Sequence, residues 1–236
     1  MNCDGKYEGQ FDPTLDLTYD VVKDVFTEAS TLFEDEYVHF GGDEIEESCF
    51  GQKPSIKEWM DSHNISSYKQ LEIYYRQRQK ALWRNITTHK KAIYWANEDI
   101  NLPVENDDVI QWWGVSKNVA ALANKTNEVI LSNYDLTYLD VGYGNRNGRQ
   151  YGTYIKWRNM YAFNPKVENV KIIGGEVCMW SELNNADTQD QKVWLRANII
   201  NERLWNSKIN LDSSLPNIAS RLIAQAARMR ERGFKV

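Results

Sequence analysis

Long apolar runs are missing from this sequence of 236 residues, and no stretch approaches the roughly 18 apolar residues that a membrane span requires. Runs of basic residues are missing as well, and 28 Lys and Arg against 33 Asp and Glu leave a formal net charge of −5. That balance disfavours a nucleic-acid phosphate backbone as a ligand. We therefore expect neither nucleic acid nor a membrane as a partner, and the length suits one domain with a sizeable core.

Histidine and cysteine are scarce, with three residues of each. Neither His63 nor His89 forms a ligand-like cluster with cysteines or acids, so we predict no metal and no cofactor. Three cysteines leave an odd one whichever pair forms. Three reduced thiols in the core are the alternative to any disulfide.

Signals for export are mixed. The first residues, Met1–Lys6, lack the charged start and apolar stretch of a secretory signal. Three Asn-X-Ser/Thr sequons nevertheless occur, at Asn64, Asn85 and Asn124. Together they favour a glycosylated protein that is lysosomal or secreted, with its signal peptide outside this chain.

Strand-like apolar runs alternate with helical patterns along the chain. The expected strands are Tyr37–Gly42, Ala92–Trp95, Val109–Trp112, Val129–Ser132 and Val170–Val177. The expected helices are Leu17–Phe33, Ser67–Ile86, Val115–Ala123, Gln191–Trp205 and Leu215–Arg232, and Gly142–Thr153 is typical of a polar loop. The alternation predicts an α/β fold in which helices cover a parallel sheet.

The run Val38–Ile45 is typical of a short buried strand that ends in two glycines and an adjacent pair of carboxylates. In a (β/α)₈ barrel, catalytic side chains project from the C-terminal ends of strands, and glycines there allow a tight turn. Asp43 and Glu44 are therefore placed for chemistry. Because neighbours in a strand point to opposite faces, both reach one pocket only if the strand ends at Gly42. For this pair alone, the solvated start of a loop is the alternative.

The stretch His39–Glu44 resembles the signature of the β-N-acetylhexosaminidases of glycoside hydrolase family 20. Further stretches similar to that family follow in the same order, at similar spacing: Tyr94-Trp95, Ile110–Trp113, Tyr138–Asp140, Gly174–Glu182 and Glu202–Trp205. The resemblance covers nearly the whole chain. It implies a TIM (β/α)₈ barrel of which residues 1–236 carry roughly strands four to eight, as the C-terminal part of a catalytic barrel domain.

The resemblance also implies missing parts. The family's first three barrel strands, its smaller N-terminal domain and its substrate-clamping arginine have no counterpart here, and Arg149 and Arg158 do not match the arginine motif. Five strands alone would leave open sheet edges, so we expect the missing N-terminal half or a homodimer partner to cover them. A catalytically silent carbohydrate-binding or structural remnant of such an enzyme is the alternative function.

The family pattern implies removal of terminal non-reducing β-linked N-acetylhexosamine, GlcNAc or GalNAc, from glycans or chitooligosaccharides, with retention. By resemblance, Glu44 is the general acid and base and Asp43 orients the acetamido group. Tyr138 would hydrogen-bond the acetamido carbonyl oxygen. This division of roles needs the pKa values of the two acids to be pushed apart.

The resemblance further implies a set of substrate-binding residues. They are Trp95, Trp113 and Trp180 around the acetamido group, and Asp140 and Glu182 at the outer sugar hydroxyls. Taken singly, each tryptophan could pack in the core and each acid could be solvated. We expect Trp112, Trp194 and Trp205 to be structural, and His39 to be a buried, hydrogen-bonded strand residue.

The cysteines also follow the family pattern. Cys3 and Cys49 match a pair that forms a disulfide bridge in the family, whereas Cys178 lies inside an apolar run. By resemblance we expect Cys3 and Cys49 to be oxidised together. We expect Cys178 to be free and buried.

Overall fold

The computed structural model of the protein describes residues 2–3, 7–8, 10–87, 90–98, 104–206 and 211–236, with backbone alone for residues 2–3, 7–8 and 211–216. Within these residues, no helix is both long and apolar enough to cross a membrane. The chain divides into two compact units. The first comprises Met1–Trp95 with Asn101–Asp108, and the second comprises Ala96–Ile100 with Val109–Val236.

The first unit combines helices with two parallel strands. Its elements in chain order are β1 (Asn2–Cys3), β2 (Tyr7–Glu8), α1 (Asp16–Leu32), β3 (Tyr37–His39), α2 (Glu47–Gly51), α3 (Pro54–Ser62), α4 (Tyr68–Ile86) and β4 (Lys91–Ala96), whose last residue belongs to the second unit. β3 pairs in parallel with β4, with Val38 opposite Ala92. The Ser67 side chain accepts a hydrogen bond from the backbone N–H of Gln70 and so caps the start of α4.

Aromatic packing forms the core of the first unit next to β3. Phe26 of α1 stacks on Phe40 with 4.9 Å between ring centroids, and both rings meet Trp83 of α4 edge-on. α1 therefore faces the core, as its pattern predicts. Not all of its apolar residues take part, because Val25 is 57% exposed and Phe33, just beyond its end, is 61% exposed.

The second unit is built on three parallel strands. Its elements are β5 (Val109–Trp112), the 3₁₀ helix Ser116–Leu122, β6 (Glu128–Leu131), β7 (Asn145–Arg146), β8 (Arg149–Gln150), α5 (Trp157–Ala162), β9 (Lys171–Gly175), α6 (Gln189–Trp205) and α7 (Leu211–Glu231). β6 pairs with β5 on one side and with β9 on the other. β7 and β8 form an antiparallel hairpin.

The five predicted parallel strands and five predicted helices all have counterparts, with bounds that differ by a few residues. Several regions differ from the sequence-based expectation. β3, the first of the predicted strands, ends at His39 rather than at Gly42. The segment expected to be a loop, Gly142–Thr153, contains the β7–β8 hairpin. The sequence patterns did not predict the short helices α2, α3 and α5, although Pro54 at the first turn of α3 is a known start signal.

Candidate active site

The acid pair follows β3 on a sharply turned backbone. Gly41 has a φ of 65°, Gly42 of 92° and Glu44 of 49°, all in the left-handed region. Glycines adopt that region freely, whereas for Glu44 it costs about 1–2 kcal/mol. Strain of this kind persists where the surrounding structure enforces it, and it clusters at functional sites. The two glycines thus provide the turn that the sequence predicts, although the strand itself ends three residues earlier.

Asp43 and Glu44 reach the same space. Both side chains are exposed, and both line a cavity of about 510 Å³ in the first unit. Neither carboxylate forms a hydrogen bond or an ion pair within the described residues. Phe40 and Gly42 also line this cavity, so the turn after β3 forms part of its wall.

Trp95 is anchored to the same turn. Its backbone N–H donates to the carbonyl oxygen of Gly41 at 3.1 Å, and its half-buried ring lies 5.1 Å from the ring of His39. The prediction that His39 is buried is wrong, because the side chain is exposed. It is hydrogen-bonded as expected, since its Nδ1 accepts from the backbone N–H of Gly41 at 2.9 Å. The imidazole therefore supports the turn rather than the core.

In the second unit, Tyr138 and Trp180 lie side by side. Their ring centroids are 6.1 Å apart, with planes tilted by 55°. The backbone holds them in register, because Cys178 donates to the carbonyl of Thr137 at 3.1 Å and accepts from Leu139 at 2.7 Å. Tyr138 is 8% exposed and Trp180 is 40% exposed. The Tyr138 side chain is therefore buried, whereas the Trp180 ring is partly open to solvent.

Asp140 is enclosed more deeply than the sequence suggests, with no exposed surface. Neither carboxylate oxygen has a hydrogen-bond partner of standard geometry within the described residues. Burial raises the pKa of this carboxyl and the negative charge of Glu182 raises it further, while the Trp180 backbone N–H and the Tyr151 hydroxyl lower it in part.

Glu182 meets the hairpin that the sequence patterns missed. Nη1 of Arg146 in β7 lies 3.0 Å from Oε1 of Glu182, whose side chain is 24% exposed. The same guanidinium lies 5.5 Å from the ring centroid of Tyr151. Burial and the two nearby carboxylates, Asp140 and Glu182, raise the pKa of Tyr151 to about 12. The hairpin thus brings a hydroxyl and a cation to the two predicted sugar-binding acids.

The remaining tryptophans separate into different environments. Trp112 is fully buried, as expected for a structural residue, and its neighbour Trp113 is half-buried just beyond β5. The backbone N–H of Trp113 donates to the carbonyl of Ala96 at 2.9 Å. Trp194 is 36% exposed and Trp205 is 92% exposed, so the expectation that Trp205 is structural is wrong: its ring protrudes at the end of α6.

Two polar side chains that the sequence patterns did not single out support the predicted site residues of the second unit. Arg196 of α6 is 6% exposed, and its Nη1 donates to the carbonyl of Leu139 at 2.8 Å. Glu176 accepts from Gln111 and from Ser132. Glu176 stands within a family-like stretch, so its position was a signal that could have found it. Arg196 has no such signal beyond its place on a helix.

The predicted site residues therefore fall into two groups. Asp43, Glu44 and Trp95 lie in the first unit, and Trp113, Tyr138, Asp140, Trp180 and Glu182 lie in the second. In each group, a buried arginine from a helix binds a backbone carbonyl next to the predicted residues. Arg76 of α4 does so at Gly42, and Arg196 of α6 does so at Leu139.

The cysteine and sequon predictions have different outcomes. Cys178 is free and buried, as expected, and burial raises the pKa of its thiol. Cys49 is 1% exposed, whereas the Cys3 side chain lies outside the described residues, so the bridge between them stays a prediction. The three sequon asparagines are exposed; Asn64 and Asn124 have φ values of 57° and 65°, and Asn85 lies in α4.

Metal ligands do not cluster in the described part of the chain. No three His, Cys, Asp or Glu side chains in it are placed to hold a metal ion. His63 lies among these residues and its Nδ1 contacts the carbonyl oxygen of Trp59 at 2.8 Å, whereas His89 lies outside them. The expectation of a metal-free site stays a prediction.

Comparison with known proteins adds to this geometry. The profile "Glycosyl hydrolase family 20, catalytic domain" matches residues 2–208. Human beta-hexosaminidase subunit beta is 32% identical over 238 residues, which cover 96% of this chain and 40% of that protein. The chitooligosaccharidolytic beta-N-acetylglucosaminidase of Ostrinia furnacalis is 30% identical over 224 residues, 84% of this chain and 37% of that protein. The chain thus spans about two fifths of the length of these relatives.

Solved structures share the fold. The GH20 exo beta-N-acetylglucosaminidase of Vibrio harveyi superposes with a TM-score of 0.80 at 22% identity, over 96% of this chain and 37% of that one. The beta-N-acetylhexosaminidase of Streptomyces coelicolor A3(2) gives a TM-score of 0.71 at 23% identity, over 97% and 44%. The predicted fold is confirmed: the protein is α/β, and its parallel strands belong to part of a TIM barrel.

Proposed function

Because the chain belongs to glycosyl hydrolase family 20, we propose that the full-length protein removes terminal β-linked N-acetylhexosamine, GlcNAc or GalNAc, from glycans or chitooligosaccharides. One observation carries the proposal. Asp43 and Glu44 stand exposed after β3, without ion pairs to the described residues, on a backbone that forces Glu44 into the left-handed region. The names of the human and Ostrinia furnacalis relatives support the substrate class.

The mechanism we propose is retaining and substrate-assisted. The carbonyl oxygen of the substrate's acetamido group attacks the anomeric carbon, while Glu44 donates its proton to the leaving glycosidic oxygen. The resulting carboxylate of Glu44 then takes a proton from a water molecule, which attacks the anomeric carbon and releases the acetamido oxygen. Asp43 holds the acetamido N–H, and the Tyr138 hydroxyl donates to the acetamido oxygen.

The other predicted residues bind the sugar. Trp95, Trp113 and Trp180 offer aromatic faces to the acetamido methyl and to the apolar side of the ring. Asp140 and Glu182 accept hydrogen bonds from the outer hydroxyls. The burial of Asp140 makes its interaction with a hydroxyl group strong, because a hydrogen bond gains strength where water is excluded.

Turnover of a chromogenic aryl N-acetylglucosaminide by the full-length protein tests the proposal. We expect Glu44→Gln to lower kcat by about 10²–10⁴-fold, the usual contribution of a general acid. Glu47→Gln is the matched control, since Glu47 is an exposed acid in the first turn of α2 and the change is the same. Unchanged activity in Glu44→Gln would remove the assignment of the acid.

The substrate-assisted step has its own test. An aryl glucoside that lacks the acetamido group should not be cleaved, because the attacking oxygen is absent. Comparable turnover of both substrates would favour a carboxylate nucleophile instead. Binding of N-acetylglucosamine without any turnover would favour the alternative, a silent carbohydrate-binding protein.

We also propose a disulfide between Cys3 and Cys49, N-linked glycans at Asn64, Asn85 and Asn124, and a lysosomal or secreted location. The exposure of all three asparagines supports the glycans. Peptide mapping under non-reducing conditions should yield one fragment that joins Cys3 to Cys49. Two separate alkylated peptides would contradict the bridge, and an unchanged mass after glycosidase treatment would contradict the glycans.

A further inference from the structure

Arg76 is a buried cation within reach of the acid pair's backbone. Its side chain is 5% exposed, whereas Arg78 and Arg84 on the same helix are 36% and 52% exposed. Nε and Nη2 both contact Oε1 of Glu72 on the preceding turn, at 2.9 and 2.8 Å. Lys69 adds an ion pair with the other oxygen of Glu72 at 3.1 Å. Contacts within α4 alone therefore fix the position of the guanidinium.

Nη2 of that guanidinium, which already contacts Glu72, also binds the turn before the acids. Nη2 of Arg76 donates to the carbonyl oxygen of Gly42 at 2.6 Å. This carbonyl belongs to the peptide that links Gly42 to Asp43. A charged donor on a peptide oxygen is among the stronger hydrogen bonds in proteins, and a planar guanidinium fixes direction as well as distance.

Gly42 and Arg76 fit each other closely. A Cβ atom on Gly42 would lie 2.6 Å from Nη2 and 2.8 Å from the Cζ atom of Arg76. The guanidinium thus occupies the space where a side chain would otherwise be. At Gly41, by contrast, a Cβ would meet nothing within 4 Å. The second glycine is therefore needed for contact with Arg76 as well as for its φ of 92°.

Two consecutive glycines would by themselves form a loose hinge, because glycine has the widest choice of backbone angles. A catalytic carboxylate on such a hinge would spend little time in a productive geometry, and a misplacement of about 1 Å can cost roughly 10²-fold in rate. The contact from Arg76 removes rotation at the last peptide of the hinge. Its partner Glu72 keeps the guanidinium in place.

We propose that Arg76 is a positioning residue, which fixes the Gly42 carbonyl and thereby sets the orientation of Asp43 and Glu44. The inference rests on the proposed function where it concerns turnover, and it concerns backbone order independently of any reaction. Arg78 provides the comparison. It lies on the same helix and bonds to Tyr74 at 3.1 Å and to Asp16 at 3.2 Å, away from the turn.

Hydrogen exchange of the full-length protein tests the backbone claim. Backbone amides on either side of the acid pair are hydrogen-bonded: Phe40 N–H to the Ile93 carbonyl at 2.9 Å, Gly41 N–H to His39 Nδ1 at 2.9 Å, and Glu46 N–H to Gln10 Oε1 at 3.0 Å. We expect the peptide that spans residues 40–46 to exchange at least tenfold faster in Arg76→Met than in the wild type. The matched control Arg78→Met should leave this peptide unchanged.

Steady-state kinetics test the consequence for turnover. We expect Arg76→Met to lower kcat about 100-fold, because both acids are misplaced, and to keep KM within threefold of the wild type, because the sugar contacts other than that of Asp43 remain. Arg76→Lys keeps the charge but loses the planar fork, so it should restore only part of kcat. Arg78→Met should retain kcat within twofold.

Unchanged exchange at residues 40–46 in Arg76→Met overturns the inference, and so do equal kcat losses in Arg76→Met and Arg78→Met. If Arg76→Met fails to fold because the buried Glu72 keeps only Lys69 as a partner, Glu72→Gln/Arg76→Met removes that charge, and the same exchange criterion applies. A wild type without hexosaminidase turnover would refute the proposed function, while the exchange comparison would still decide the role of Arg76.

Discussion

Arg146 and Glu182 form an ion pair, with 3.0 Å between Nη1 and Oε1. It joins a hairpin after Asp140 to the acid that is proposed to bind the outer sugar hydroxyls. The side chains are 50% and 24% exposed, so the pair lies at the rim of the site. A pair of this exposure contributes up to about 1 kcal/mol, which corresponds to a several-fold effect on binding.

Replacement of Arg146 by Gln should therefore raise KM about three- to fivefold and leave kcat nearly unchanged, because Glu182 loses the partner that orients it. Arg149→Gln is the matched control, since Arg149 stands opposite Arg146 across the hairpin and is exposed. In a Glu182→Gln background, Arg146→Gln should have no further effect on KM. A fall in KM would mean that Arg146 competes with the sugar for Glu182.

Replacement of Asp140 by Asn should stabilise the protein at neutral pH. The folded state raises the pKa of Asp140, first through burial, above its ordinary value of 3.8. The native state then holds the proton more tightly than the unfolded chain, so stability falls as pH rises through the raised pKa. An asparagine side chain at this position cannot ionise and avoids this loss.

The free energy of unfolding of Asp140→Asn should exceed that of the wild type by about 1 kcal/mol at pH 7, the scale of one unsatisfied buried group. The difference should vanish below pH 3.8, where Asp140 is protonated in both the folded and the unfolded protein. Urea unfolding across this range measures it. A wild type that is more stable than the variant at pH 7 would show that Asp140 is satisfied in the native state.

Two glycines near the hairpin allow the cost of a left-handed backbone to be measured apart from the cost of steric crowding. Gly148 has a φ of 76° and open space where a Cβ would stand, whereas at Gly142, with a φ of 84°, a Cβ would lie 2.0 Å from the Tyr154 nitrogen. Gly148→Ala should cost about 1 kcal/mol for its left-handed backbone. Gly142→Ala should cost about 1–3 kcal/mol more through overpacking. Equal losses in denaturant unfolding would contradict the close approach of Tyr154.

Lys80 and Asp108 form a buried pair in the first unit, 2.5 Å apart, with 9% and 1% of their side chains exposed. Lys80→Met should destabilise the protein by about 3–5 kcal/mol, because it takes the cation away from a buried carboxylate whose pKa burial already raises. The double variant Lys80→Met/Asp108→Asn should recover most of that loss. Arg84→Met, at a position 52% exposed, should cost far less in the same unfolding assay.

Regular elements with strong periodicity were predictable from sequence. The β-branched and aromatic run Val109–Trp112 is a strand with the expected bounds, and the stripe of α4 places its start and end within one residue. The hairpin was missed although Asn147-Gly148 is a recognised turn signal, and both residues do have positive φ values, 52° and 76°. There the signal was present but was outweighed by the polar composition of the segment.

The support of the site was beyond sequence reasoning. Nothing along α4 distinguishes Arg76 from Arg78, because only packing decides which arginine turns towards Gly42. The burial of Asp140 likewise depends on a hairpin that folds back after it, with Gly142 donating to the carbonyl of Tyr151 at 2.8 Å. Motifs identify residues that face a ligand, whereas long-range contacts determine what holds those residues.

The left-handed backbone at Asn64 and Asn124 changes how glycan removal should be studied. Asparagine tolerates this conformation better than most residues, so the usual replacement by Gln would add a conformational penalty to the loss of the sugar. Gly is the cleaner replacement at those two positions, because it accepts the same angles. At Asn85, within the helix, Gln is appropriate and Gly would be harmful. Each sequon thus calls for its own deglycosylation variant, chosen by backbone geometry.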